Sequence, residues 1–465
     1  MRNNYIKYIS TRGHSQRLDF KDVIFEGLAP DGGLYVPEEW PKFTRDEIKS
    51  FSDKPYQEIA FDVISKFTDD SLSSIDLKNI IDLSYKGFDH SEITPLNKTS
   101  ENEYILELFH GPTYAFKDVA MQFISNLMDF YLSKSDQTIN ILGATSGDTG
   151  AAAIVGFQNI KSARIFILHP HDKISDVQRK FMTTVQTNNV HNIALQGSFD
   201  DCQNIIKEIF SDQKYKKQNN LTAINSINWS RIMCQIVYYF YALSRIETQG
   251  KKSIFTVPTG NFGDILAGYI AIKMGLSIDM LNIATNENDI LTRTLSTGKH
   301  TLNDVRATSS PSIDIQISSN FERLLYDITK DSSFIVKAMH ELKSSGSYSL
   351  DAKVVNDIKE YFCSYSVSQE QVRETIINLH KTKNLVVDPH TAVGVVAADQ
   401  FKKDYDISIV LSTAHPAKFK DTVRDFIQSE SFVPEKINKI LSLNEDMVIL
   451  ENSTEKVKEL ITEMI

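Results

Sequence analysis

Residues 104–131 read YILELFHGPTYAFKDVAMQFISNLMDFY, and the position of Lys117 within them decides how the rest of the chain is understood. Residues 104–109 are a mostly apolar run of strand length and composition. After the break His110-Gly111-Pro112-Thr113, apolar residues return at Phe116, Val119, Ala120, Phe123, Leu127 and Tyr131, which is helical spacing. Lys117 therefore falls in the first turn of a helix that follows a buried strand. A charged amine gains nothing from such an apolar junction. Two readings fit the residue taken alone. Either its stem packs while the head reaches water, or desolvation lowers the amine's pKa so that the free base forms a Schiff base.

From residue 104 onward the pattern strand, turn, helix repeats. Strand-like apolar runs fall at 139–144, 164–168, 192–195, 254–257, 281–284, 385–387 and 407–411. Helical patterns begin near Gly150, Ser175, Phe199, Trp229, Asp264, Asp289 and His390. Such alternation implies an α/β fold with parallel sheets covered on both faces by helices. Sites in these sheets lie at the carboxyl ends of the strands. Residues 1–95, with the turn-rich GLAPDGGLYVP at 27–37, read as a separate N-terminal unit that is structural and roofs the site. Residues 331–384 are charged and helical and are expected to form an outer layer.

Four turns stand where chemistry is expected. Thr145-Ser146-Gly147-Asp148-Thr149-Gly150 opens a helix, and such a turn offers N–H groups and a positive dipole end to an anion. Its polar side chains equally suit plain helix capping. Gly260-Asn261-Phe262-Gly263-Asp264 also lies between a strand and a helix. Gly260 and Gly263 are expected to supply positive φ and close approach, so that N–H groups converge on a phosphate. The motif is neither GxGxxG nor a P-loop, which leaves a non-nucleotide phosphate or an ordinary tight turn. Asn225-Ser226-Ile227-Asn228-Trp229-Ser230-Arg231 introduces a long apolar helix, and Arg231 near its start opposes the helix dipole. It calls for an anion or a nearby carboxylate. Thr413 follows the core strand 407–411, where a hydroxyl meets a ligand or bonds local backbone. Asn320 is expected to cap a helix, Arg323 to answer Glu322 or Asp327, and Asp388 to cap another helix beside a structural His390.

The 465 residues are enough for two or three domains. A net charge of −10 argues against a nucleic-acid partner, though not against a small anionic substrate. Cys202, Cys234 and Cys363 lack metal-site spacing and suit a reducing compartment, so neither a metal nor a disulfide is expected. The first twenty residues hold Arg2, Lys7, Arg12, Arg17 and Asp19 without an apolar core, so no signal peptide is expected. The longest apolar run, 236–243, falls far short of the roughly 20 residues of a membrane helix. A cytoplasmic protein is expected.

LELFHGPTYAFKD resembles the cofactor-lysine segment of the threonine synthases, pyridoxal-phosphate enzymes of fold type II. The resemblance extends from YISTRG at 8–13 through GLAPDGGLYVP, GNFGD and NSINWSR to STAHPAKF at 412–419. It is to the longer bacterial and fungal class. It implies a tryptophan-synthase-β-like fold, with two open parallel α/β subdomains and an N-terminal domain at 1–95. The smaller subdomain, about 135–225, is inserted in the larger within 96–465. It further implies pyridoxal phosphate held as a Schiff base on Lys117, and O-phospho-L-homoserine as substrate. Cofactor contacts fall on Gly260, Asn261, Phe262, Gly263, Asp264, Thr413 (facing the pyridine nitrogen) and Asp148. Substrate contacts fall on Thr145, Ser146, Thr149, Asn225, Ser226, Asn228 and Arg231. Many fold-type-II enzymes carry Asn at the place of Asp148, and an ionised Asp cannot donate to the ring oxygen. No other amine is expected to replace Lys117 covalently. A monomer or small homo-oligomer is expected. The rival readings are a threonine or serine dehydratase, which needs no second phosphate pocket, and a catalytically silent relative.

Overall fold

The computed structural model describes residues 5–135 and 137–465; Arg2, weighed above, lies outside them. Two sheets carry the architecture. The larger has six strands in the order Phe362–Ser366, Met280–Thr285, Ser253–Pro258, Ile407–Ser412, Glu103–Glu107 and Leu96–Lys98. All are parallel except the short edge strand Leu96–Lys98. The smaller has five parallel strands, ordered Val448–Glu451, Val190–Gln196, Ala163–Pro170, Ile139–Ala144 and Leu221–Ala223. Ser253–Pro258 and Ile407–Ser412 are buried along their whole length, as central parallel strands covered on both faces must be.

Helix Trp229–Ser244 is buried on nearly every side. A helix apolar all round has to be enclosed, and this one packs against helices Lys117–Ser133, Gly263–Lys273 and Tyr56–Ser65. Lys117–Ser133 presents Val119, Phe123, Leu127 and Tyr131 to the core, the spacing read from the sequence. The N-terminal segment pairs Tyr8–Ser10 with Tyr35–Pro37 and is tied to helix Phe321–Thr329. Thr11 Oγ1 donates to Glu322 Oε1 at 2.6 Å, Arg12 Nη2 lies 2.8 Å from Glu322 Oε2, and Arg323 Nε donates to Tyr35 O at 2.9 Å. No helix among the described residues is long and apolar enough to cross a membrane.

Two expectations about elements change, and one strand is added. Residues 385–387 pair with no strand; they are an apolar lead into helix Pro389–Asp399, with Val387 packed in a satellite core. Residues 331–384 are not only helical, because Phe362–Ser366 forms the far edge of the larger sheet. Its half-polar sequence FCSYS suits an edge and hides the strand from a search for apolar runs. The fifth strand of the smaller sheet, Val448–Glu451, comes from the end of the chain.

Ser253–Pro258, Ile407–Ser412 and Glu103–Glu107 are neighbours in the larger sheet. Their carboxyl ends lead into the 259–264 turn, into Thr413 and, through the 108–116 loop, into Lys117. Ala144 ends its strand in the smaller sheet and feeds the 145–150 turn.

Candidate active site

The loop before Lys117 continues the pairing of the sheet. Leu108 N donates to Ser412 O at 2.9 Å and Phe116 N to Thr413 O at 2.8 Å, which draws the helix start to the end of the central strand. Lys117 is the first residue of its helix, and its side chain is 12% exposed. It lines a cavity with Asp148, Thr149, Ser226, Arg231, the 259–264 turn, Ser312 and Thr413. Its Nζ lies 3.3 Å from Asp148 Oδ2 and 4.6 Å from the Phe116 ring centroid. Burial lowers the proton affinity of the amine; Lys418 and Arg231 push the same way, and Asp148 opposes them.

The 259–264 turn offers backbone donors. The N–H groups of Gly260, Asn261, Phe262, Gly263 and Asp264 find no acceptor among the described residues, and the last two begin a helix. The left-handed residue here is Phe262, with φ 63°, whereas neither Gly260 nor Gly263 has positive φ. The glycines answer to packing instead. A Cβ on Gly260 would stand 2.8 Å from Ser312 O, and one on Gly263 would stand 3.2 Å from Ile232 Cδ1. Asp264 is buried, and Tyr238 and Tyr239 both donate to its Oδ1, the latter at 3.3 Å. Its Oδ2 has no partner among the described residues. Burial pushes the carboxyl up to about 7, against the two hydroxyls and Lys117.

The 145–150 turn is occupied by its own side chains. Thr145 Oγ1 accepts from Gly147 N at 3.0 Å and Gly150 N at 2.9 Å. The N–H groups of Ser146, Asp148 and Thr149 have no acceptor among the described residues. Asp148 gathers four partners: Lys117 at 3.3 Å, Lys418 at 2.8 Å, Gln178 Nε2 at 3.0 Å and Ser312 Oγ at 3.4 Å. Burial opposes its charge, but Lys418 and Lys117 outweigh burial and hold the carboxyl well below its ordinary range.

Arg231 is buried, and its Nη1 has no hydrogen-bond partner among the described residues. Burial pushes the guanidinium down to about 10. Ser226 and Thr149 share its cavity, whereas Asn225, Asn228, Thr145 and Ser146 do not line it. Asn225 Oδ1 accepts from Ile227 N at 3.1 Å. Asn228 caps the helix through its Oδ1 and donates from Nδ2 to Ile24 O at 2.9 Å. Ser146 is exposed and faces a neighbouring cleft with Lys173, Ser175 and Gln178.

Several residues near the site have partners other than those their local sequence suggests. Asn320 makes no capping bond; its Nδ2 donates to Asn261 O at 2.9 Å and Ser226 O at 3.0 Å, joining two of the motifs. Arg323 serves Tyr35 O and Ile227 O rather than Glu322 or Asp327, because Arg12 already holds Glu322, and Trp40, Tyr269 and Lys330 hold Asp327. Asp388 does cap its helix, and His390 Nε2 accepts from Ser312 N at 3.1 Å. Lys418 is a second buried amine on the carboxylate that Lys117 touches. It stood within the quoted STAHPAKF, but nothing local marks it.

One desolvated amine thus faces two helix-start turns with spare N–H groups and one unpaired guanidinium. Residues 89–413 match the family described as pyridoxal-phosphate dependent enzyme, and the fold is that of fold type II. Residues 7–85 match the threonine synthase N terminus and 391–461 the threonine synthase C-terminal family. Threonine synthase of Pseudomonas aeruginosa is 44% identical over 461 residues, spanning 98% of both chains. That of Saccharomyces cerevisiae is 42% identical, spanning 98% of this chain and 97% of the relative. Among solved structures, the pyridoxal-phosphate-bound threonine synthase from Brucella melitensis has TM-score 0.95 at 42% identity, covering 99% of both chains. Yeast threonine synthase has 0.93 at 41%, covering 98% of both. The chain belongs to the threonine synthase family.

Proposed function

We propose that the chain converts O-phospho-L-homoserine and water into L-threonine and phosphate. The observation that carries this reading is the buried Arg231, whose Nη1 lacks an acceptor in the cavity that holds Lys117. A guanidinium taken out of water without an acceptor is costly, and a substrate phosphate satisfies it. The residues also fit pyridoxal phosphate. The five spare N–H groups at 260–264 suit its phosphate, Lys117 its aldehyde carbon, and Thr413 its pyridine nitrogen. When bound, the cofactor supplies the electron sink that makes protons on the substrate's α- and β-carbons removable.

The chain's own groups do the rest. The unpaired N–H groups of Asp148 and Thr149, both lining the cavity, hold the substrate carboxylate at a helix start. Lys117 Nζ, its proton affinity lowered by burial, removes the α-proton, passes it on to water and, free again, takes a β-proton. Arg231 offers a planar fork to the γ-phosphate and, with Ser226, holds it as the Cγ–O bond breaks and the phosphate departs with the electron pair. The γ-carbon takes the β-proton from Lys117 and becomes the methyl group; water then adds its hydroxyl at the β-carbon and leaves its proton on Lys117, which delivers it to the α-carbon, while the departed phosphate takes up a proton from water. Thr413 is a neutral hydroxyl, so it supports the ring more weakly than a carboxylate would.

The substrate is a small molecule, and the free, widely spaced cysteines support a reducing cytoplasm. A monomer or small homo-oligomer without nucleic acid is the assembly consistent with the acidic composition. The test is product analysis on purified protein given O-phospho-L-homoserine. Phosphate and threonine in equal amounts are expected. Release of a 2-oxo acid and ammonia from threonine or serine, with no phosphate from phosphohomoserine, would establish the dehydratase reading instead.

A further inference from the structure

We propose that Lys418 is a positioning residue for this reaction: its buried ammonium occupies Asp148, which leaves Lys117 the uncharged amine that cofactor attachment and proton transfer require. The inference rests on the reading of Lys117 given above.

Lys418 sits in the short turn Pro416–Phe419 just after Thr413 and has no solvent-accessible surface. Its Nζ donates to Thr113 O at 2.9 Å and stands 2.8 Å from Asp148 Oδ1, with the Phe181 ring centroid 5.2 Å away. An ammonium so enclosed needs a counter-charge, and Asp148 provides it. Lys117 meets the other oxygen of the same carboxylate at the longer distance of 3.3 Å. Facing Lys117 alone, Asp148 would favour the protonated amine, which is neither nucleophile nor base. Shared with Lys418, it orients Lys117 without fixing the proton there. The same geometry accounts for Asp rather than Asn at position 148. With Gln178 and Ser312 it receives four donors, whereas an amide accepts on one oxygen only and would leave Lys418 without a counter-charge.

The other charges are placed so as not to replace this pair. Arg231 and Asp264 act on Lys117 from their own helices, with opposite signs. Asp118, at the start of Lys117's helix, acts on Lys418 but is hydrogen-bonded to Thr113 N and Oγ1, both at 2.8 Å. His390 lines the cavity and is bonded to Asp388 at 2.8 Å.

The test uses the full-length chain freed of cofactor with hydroxylamine. The rate of pyridoxal phosphate attachment is followed by visible absorption across pH. Only the unprotonated amine reacts, so the midpoint of the profile reports Lys117. Lys418→Met should raise the midpoint by about one pH unit and slow attachment near neutrality by about tenfold. Lys418→Arg, which keeps the charge, should leave the midpoint near that of the wild type. The shift should vanish when Lys418→Met is combined with Asp148→Asn. Lys418→Gln, which keeps a donor for Thr113 O, stands in if Lys418→Met does not fold. An unmoved midpoint in a folded variant, or loss of fold in both neutral variants, overturns the proposal. Borohydride reduction of the wild-type holoenzyme separates the two levels. Label away from Lys117 removes the underlying reading, and label on Lys117 with an unmoved midpoint removes only the part given to Lys418.

Discussion

The turns 145–150 and 259–264 are built to one plan, each joining a parallel strand to a helix through small residues, yet they do different work. In the first, side chains fill the space: Thr145 satisfies two backbone N–H groups, and Asp148 anchors two lysines. In the second, five N–H groups stay open among the described residues, and the side chains of Phe262 and Asp264 withdraw into the core. Asp264 turns to two tyrosines, and Phe262 is buried in a left-handed conformation. A helix start attracts anions in both places. The filled turn admits a small carboxylate beside a fixed charge pair, and the open turn can wrap a phosphate. Arg231 belongs to neither and brings a buried guanidinium, a third group suited to an anion, to the same cavity.

The division breaks most visibly at Arg231. Arg231→Leu should retain the cofactor's visible absorption while turnover of phosphohomoserine falls by at least about a hundredfold, since each charge-assisted bond contributes roughly 1.5–3 kcal/mol. Binding of unphosphorylated amino acids should be unchanged. Equal losses for phosphorylated and plain ligands would make Arg231 a fold residue and leave only two anion sites.

Asp264 sharpens the contrast through pH. Its folded pKa, about 7, lies above the unfolded value, so the stability it lends as a neutral acid is complete below about pH 4. That contribution fades as pH rises through 7, and on the order of 4 kcal/mol is at stake for a shift of this size. Melting of the cofactor-free chain from pH 4 to pH 8 should therefore fall more steeply in the wild type than in Asp264→Asn. Parallel curves would mean that the carboxylate is ionised throughout and that its free oxygen faces water.

Glycine replacement tests the open turn at smaller scale. Gly260→Ala drives a methyl into the carbonyl of Ser312, which cannot move cheaply, so cofactor affinity should fall by roughly 1–3 kcal/mol. Gly263→Ala meets the flexible end of Ile232 and should cost less than about 1 kcal/mol. Titration of each cofactor-free variant with pyridoxal phosphate gives both values. The reverse order would place the tight approach at Gly263.

What the sequence revealed follows from how local each signal is. The strand–turn–helix repeats, the two turns and Lys117 each lie within a few neighbouring residues, so periodicity and turn chemistry expose them. Phe362–Ser366 escaped because an edge strand need not be apolar, whereas the apolar Val448–Glu451 escaped because it is only four residues long. The run at 385–387 misled because apolar composition marks burial, whether or not a neighbouring strand is there to pair with it. Asn320 looked like a cap by its place before a helix, and only the approach of Ser226 and Asn261 shows its use as a bridge. Lys418 is the plainest case. A lysine after Pro-Ala carries no signal of its own, and it gains meaning only from a carboxylate brought in from the other sheet.

Two buried amines on one carboxylate make the choice between them the most direct test. The covalent bond should fall on Lys117, because Lys418 is sealed from solvent and bound to Asp148 and Thr113. Borohydride reduction of the holoenzyme followed by peptide mapping should place all of the label on the segment containing Lys117, and Lys117→Ala should trap none. Label on Lys418, in the wild type or in that variant, would contradict the assignment.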